Sequence, residues 1–351
     1  MTRRAPRTAV MLALGAGATI VALAGCGSSS SSSSASSSGS SSAPAAASSS
    51  ATSSAATSKH YSVVFIPGAT GVAFYETLGA GVQSEARKLG MSYSTQGAAD
   101  FTPAAQTPVV DAVCSRSPSL LLIAPTDPVA MRPAIQRCMS EGVKVVLVDT
   151  GLTNRSGIVS AITSNNLQGG EAAGKLIGQQ LHGKGQVSLM SLSPTATTQV
   201  LRLEGVKQEL KSSYPGISVV STQYTQQAPT SSETTARAVL SAHPSIGAFF
   251  GAAEPNAEGT AQALVSTGKK AINIGYDASP PEVALLKKGQ ISALVIQQPA
   301  LEGTLGVQYG NDALTGKASQ IKPSVELANV VVTTSQAGSP SATKYYYAST
   351  G

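Results

Sequence analysis

The sequence predicts an α/β chain folded as two doubly wound parallel-sheet lobes, and three observations carry that expectation. Short unbroken apolar runs, such as Val63-Val64-Phe65-Ile66 and Val145-Val146-Leu147-Val148, suit strands buried on both faces. Between such runs, apolar residues recur at helical spacing, so strand and helix alternate along most of the chain. The alternation is also played twice. Residues 142–149 and 268–277 both run from a helix-stopping glycine through a basic residue and a buried strand to an aspartate, Asp149 and Asp277. Carboxylates at the carboxyl ends of parallel strands face the crevice where open α/β sheets bind ligands, so two lobes with one aspartate each fit a ligand clamped between them.

The first residues read as an address. Arg3, Arg4 and Arg7 precede a mostly apolar stretch over 11–23, and Leu23-Ala24-Gly25-Cys26 follows and resembles a bacterial lipobox. That resemblance implies a signal peptide over 1–25 and lipid on Cys26; an ordinary secretory signal or an N-terminal membrane helix is the alternative. Residues 26–59 continue as a Ser/Ala-rich tether without a large apolar side chain until the fold begins, which predicts a disordered spacer. About 30 such residues have an r.m.s. span of roughly 30 Å.

The folded part opens with a strand at 63–66, ended by Pro67 and Gly68, and a helix from Tyr75 to the stop at Gly90. The loop between them ends in two aromatic rings, Phe74 and Tyr75, at the carboxyl end of the strand. Strands are expected at 91–95, 120–124, 144–148 and 158–162, with helices at 103–115 and 128–141. Pro103, Pro128, Pro229, Pro281 and Pro299 stand where helices begin, which suits a residue with a preset φ and no N–H, and Asp127 is a natural cap before Pro128. A second series sets helices at 167–181, 199–211, 230–242, 256–266, 281–288 and 301–314. Its strands fall at 186–192, 217–224, 246–250, 271–276 and 291–296. A last strand spans 325–333, and the tail from 336 to 351 reads as loosely ordered.

Composition narrows the chemistry. The chain carries 24 basic and 18 acidic residues, and removal of the three early arginines leaves 21 minus 18, or +3. No Lys/Arg cluster is interleaved with aromatics, so nucleic acid is not the expected partner. The three histidines are scattered, and no nucleophile elbow, P-loop or metal-ligand spacing is present, so neither an enzyme nor a metal or other cofactor is expected. With Cys26 assigned to lipid, Cys114 and Cys138 remain, each late in a helix flanking one strand; a disulfide is the favoured reading and two buried thiols the alternative.

Ordered motifs over residues 61–333 then resemble the type I periplasmic binding proteins, in particular the ribose-binding class of ABC transporter receptors. They are Ala73-Phe74-Tyr75, Leu122-Ile123-Ala124-Pro125-Thr126-Asp127, Val146-Leu147-Val148-Asp149, Ser164-Asn165-Asn166, Arg202-Leu203-Glu204-Gly205, Ala242-His243-Pro244, Gly275-Tyr276-Asp277 and Gln297-Gln298-Pro299. The resemblance implies a clamshell with a three-segment hinge, whose crossings fall near 163–166, 297–299 and 323–330. One lobe comprises 60–163 and 298–325, the other 164–297 and 326–335. It implies that Phe74, Tyr75 and Tyr276 stack on a sugar or polyol while Asp149, Asp277, Gln297 and Ser164 bond its hydroxyls. The implied partners are a small solute and a membrane permease, for a monomeric receptor held outside the cytoplasm by the lipid on Cys26; a sensor reporting to a chemoreceptor or kinase, or a receptor for a non-sugar ligand, is the alternative. The chain departs from the family pattern at Val72, Ala124, Thr150 and Ala253, where polar anchors are usual, and no arginine stands at 199–201.

Overall fold

The structure, a computed structural model, describes residues 60–347, so the signal, Cys26, the whole tether and the last residues of the tail, 348–351, lie outside the described residues. In chain order the first series is β1 (Ser62–Ile66), α1 (Ala73–Lys88), β2 (Ser92–Thr95), α2 (Pro103–Cys114), β3 (Leu120–Ile123), α3 (Arg132–Ser140), β4 (Lys144–Val148) and β5 (Ser160–Ser164). The second is α4 (Asn166–Gln180), β6 (Lys184–Ser191), α5 (Thr197–Ser213), β7 (Gly216–Tyr224), α6 (Pro229–Ala242), β8 (Ala248–Gly251), α7 (Glu254–Thr267), β9 (Ile272–Tyr276), α8 (Pro280–Lys287) and β10 (Ala293–Ile296). The chain ends with α9 (Pro299–Leu314), β11 (Ser324–Leu327), β12 (Val330–Thr333) and α10 (Pro340–Thr343).

Two six-stranded sheets result, in the orders β2-β1-β3-β4-β5-β11 and β7-β6-β8-β9-β10-β12. The central strands β3 and β8 are buried throughout, and β4 is buried after its exposed first residue, Lys144, as their apolar runs require. Helices cover both faces. α1 packs with α9, α2 with α3, α4 with α5 and α6 with α7. Gly170 and Gly205 let α4 and α5 touch: a Cβ on Gly170 would strike the Arg202 carbonyl, and one on Gly205 the Leu167 carbonyl. Cys114 of α2 and Cys138 of α3 are joined, with Cα atoms 5.0 Å apart.

The single strand expected at 325–333 is two. β11 joins the first sheet beside β5, and after Ala328 and Asn329 the chain enters the second sheet as β12. β12 is antiparallel, unlike every other strand of its sheet, for a topological reason. β11 leaves its sheet at the carboxyl edge and Val330 enters the other beside Ile296, also at its carboxyl edge, so it must run backwards. Helix α3 starts at Arg132, not Pro128. Asp127 instead accepts from the amides of Val129 and Ala130 and closes the preceding turn.

The tail is a correction. The residues after 336 were expected to be loose, yet α10 forms, Ala337 and Ala342 are buried, and Tyr347 is only 5% exposed. Its amide donates to the Ala278 carbonyl at 3.1 Å. An apolar contact set and a buried ring offset the ordering entropy that small and polar residues alone would not.

Candidate ligand-binding cleft

The carboxyl ends of the two sheets face each other, and the chain passes from one to the other three times, at Asn165, at Gln297-Gln298 and at Ala328-Asn329. A cavity of about 50 Å³ lies between them, lined by Phe74, Tyr75 and Asp149 on one side and by Gln199, Arg202, Glu254, Asp277 and Gln297 on the other. Two bonds already cross the cleft: the Phe74 amide donates to Glu254 Oε1 at 3.0 Å, and the Gly151 amide donates to Thr197 Oγ1 at 3.0 Å. The walls are therefore drawn together around a small space.

Both aspartates sit just past a strand end with left-handed backbone, φ +60° at Asp149 and +91° at Asp277. Such a conformation costs a non-glycine residue about 1–3 kcal/mol, and it turns each carboxylate from the strand line into the cleft. Asp149 Oδ2 accepts from the Tyr75 hydroxyl at 2.7 Å, while its amide is shared between the Ile162 carbonyl and Glu302 Oε2. Asp277 Oδ1 accepts from the Gln297 amide and from the Tyr347 hydroxyl. Phe74 meets Tyr75 edge-on at 5.1 Å and Tyr347 at 6.0 Å, so the rings brace one another.

Two residues expected at the ligand stand behind the wall. Ser164 is buried and donates to Glu302 Oε1 at 2.9 Å, fixing the carboxylate that also holds Asp149. Tyr276 is wholly buried under the Arg202 guanidinium, 3.8 Å above its ring, and its hydroxyl donates to Asn329 at a crossing. Thr150 is likewise turned away and donates to the Pro125 carbonyl. By contrast Phe74, Tyr75, Asp149, Asp277 and Gln297 line one cavity.

No arginine stands at 199–201, but Arg202, the next residue along the helix, lines this wall. Arg202 lies one helical turn past Gln199 and so returns to the same face; its Nε donates to Asn166 at 2.8 Å and one terminal nitrogen to the Ala252 carbonyl at 2.8 Å. Glu254 was also missed. It stands in the first turn of α7, directly after Ala253, just as Phe74 opens α1. The available signal was general: a polar or aromatic residue in the first turn of a helix that leaves a strand's carboxyl end. For Tyr347 the tail's composition held no signal.

The electrostatics are dominated by acid in a dry place. Burial, with the charge of Asp277, raises Asp149 to about 6, although Arg202 and the Tyr75 bond pull it down. Burial also raises Asp277, and burial with the Asp277 charge pushes Glu254 well above the usual carboxylate range. Behind them, burial raises Glu302 and Glu282 as well.

A two-lobed α/β frame with its cavity at the crossings matches what comparison with known proteins finds. The model of the periplasmic binding protein domain matches residues 63–318. The chain belongs to the periplasmic binding protein family. Among its relatives, the ribose import binding protein RbsB of Bacillus subtilis is 31% identical over 257 residues, covering 70% of this chain and 79% of that one. The D-apiose import binding protein of Paraburkholderia graminis is 25% identical, with coverage of 66% and 75%. Among solved structures, an ABC transporter solute-binding protein from Agrobacterium vitis bound with α-D-tagatopyranose is 30% identical with a TM-score of 0.79, covering 82% of this chain and all of that one. The family consists of substrate-binding proteins, which is the setting for this periplasmic binding protein's cleft.

Proposed function

We propose that this protein is the extracytoplasmic solute receptor of an ABC importer and that it binds a sugar or sugar-like polar molecule between its lobes. The observation that carries the reading is the convergence of two aromatic rings, two strand-end carboxylates and a hinge amide on one cavity. A sugar ring presents C–H groups on its faces and hydroxyls at its edge. Phe74 and Tyr75 suit the former, while Asp149, Asp277 and Gln297 accept from the latter. Ser164 and Tyr276 act one layer back, holding Glu302 and Arg202.

Closure is the transducing step. Solute held by one lobe adds contacts to the other, so it binds the closed form better and shifts the population toward it about the segments 163–166, 297–299 and 323–330. The lobes are then 60–163 with 298–325, and 164–297 with 326–335. The closed surface docks on a permease, and lipid on Cys26 keeps the receptor at the cell membrane while residues 27–58 give it reach.

A thermal-shift screen of the purified protein against pentoses, hexoses, polyols and nucleosides tests the proposal. A ligand bound only to the native state adds RT ln(1 + [L]/Kd), about 4 kcal/mol at a thousandfold excess over Kd. The expected result is a rise of several degrees with one narrow group of sugars. Stabilisation by none of them would overturn the sugar reading.

A further inference from the structure

The cavity is lined by three carboxylates, Asp149, Glu254 and Asp277, and by one guanidinium, Arg202. All four are buried, at 9% exposure or less. Among the described residues no ion pair within 4.0 Å joins Arg202, or any other base, to these acids; the three ion pairs present lie elsewhere. Arg202 is instead spread over the Tyr276 ring and tied to Asn166 and Ala252. Its field reaches Asp149 and Asp277, so a single cation faces three carboxyl groups.

The hydrogen bonds tell the same story. Asp149 gives one oxygen to Tyr75 and Glu254 gives one to the Phe74 amide, which leaves Asp149 Oδ1 and Glu254 Oε2 without a donor from the protein. Gln297 supplies an independent sign. It is 2% exposed, its nitrogen is spent on Asp277, and its buried Oε1 has no partner although the residue lines the cavity. A buried acceptor left unpaired costs about 1–3 kcal/mol, and a buried uncompensated carboxylate more. The space therefore asks for a ligand rich in donors and positive in charge.

The geometry points to a solute that carries a cationic amine as well as hydroxyls, an amino sugar or an amino polyol, with the ammonium set against the carboxylates that line the cavity. This rests on the sugar-receptor reading and narrows it. An ammonium presents three donors and no acceptor, so it suits the open carboxylate oxygens of the cavity and brings the charge that Arg202 does not supply. A neutral sugar offers the same oxygens hydroxyl donors but leaves the excess negative charge to be quenched by protons. Hydroxyls remain for Gln297 Oε1 and for the faces of Phe74 and Tyr75.

Paired ligands test the inference: glucose with glucosamine, galactose with galactosamine, mannose with mannosamine, each with its N-acetyl derivative, plus putrescine as an amine without a sugar. Binding to the purified protein is followed by calorimetry. The expected result is that at least one amino sugar binds tenfold or more tightly than its neutral and N-acetylated counterparts. In Glu254→Gln, whose amide oxygen still accepts from the Phe74 amide, that ratio should fall at least tenfold; Asp149→Asn provides the same reading if the first variant does not fold. A neutral sugar that binds as tightly as its amino counterpart overturns the inference and leaves the sugar receptor standing. Putrescine binding with no response to any sugar supports the amine and removes the sugar. Binding of no member of the panel overturns the inference, and the sugar reading falls with it only if the pentoses, polyols and nucleosides of the thermal-shift screen also fail to stabilise the protein.

Discussion

The Tyr347 hydroxyl donates to Asp277 Oδ1 at 2.9 Å, so the end of the described chain reaches back to hold a carboxylate of the cleft. Tyr347 also packs edge-on against Phe74 of the opposite wall. It thus touches both sides of the site without lining the cavity. Tyr347→Phe keeps the ring and removes the hydroxyl. The variant should fold, and it should bind solute about 5- to 50-fold more weakly, in line with roughly 1–2.5 kcal/mol for a buried acceptor that loses a donor. Calorimetric affinity equal to wild type would mean that Gln297 alone sets the Asp277 position.

The burial of Asp149 predicts a pH-dependent stability with a definite sign. Its folded value of about 6 lies above the ordinary 3.8, so the native state holds a proton that the unfolded chain has released. The empty protein is therefore favoured at low pH by this group, and the contribution is lost as pH rises from about 4 through about 6. Asp277 and Glu254, also raised, act with the same sign. Thermal melts of ligand-free Asp149→Asn should decline less steeply over that window than wild type; parallel curves would place the charge elsewhere.

The α4–α5 contact carries Arg202 into the site. Gly205→Val would push the helices apart at Leu167, and such overpacking typically costs about 1–3 kcal/mol. Because Arg202 is tied to Asn166 across the same contact, loss of melting temperature should come with weaker solute binding. Reduced stability with full affinity would show that Arg202 is held by Tyr276 and Ala252 alone.

The Cys114–Cys138 bond joins α2 to α3 over a sequence separation of 24, and neither cysteine lines the cavity. Replacing both with alanine should lower stability by about 2–4 kcal/mol and leave solute affinity unchanged. Peptide mass spectrometry without reductant checks the pairing directly; two alkylatable thiols in native protein would contradict it.

Much of the fold was legible because burial on two faces writes itself as short apolar runs, and β3, β4 and β8 each do so. The strand from 325 to 333 was not divisible by pattern, since apolar residues continue on both sides of Asn329; only the meeting of two sheet edges splits it. In the site, Phe74 and Asp149 were legible from position at strand ends. Ser164 and Tyr276 do not line the cavity, because Ser164 is bonded to Glu302 and Tyr276 lies under Arg202, and spacing along the chain does not show which way a buried side chain turns. Tyr347 was illegible because its role depends on a long-range contact made by a tail of small residues.

The most direct test is the affinity of the first stabilising sugar or amino sugar for wild type and for Asp149→Ala, measured by isothermal titration calorimetry. The account predicts one solute per chain and at least tenfold weaker binding in the variant, since about 1.4 kcal/mol or more goes with a charged hydrogen-bonding group. Unchanged affinity would contradict it, for it would take the carboxylate out of the site around which both lobes are arranged.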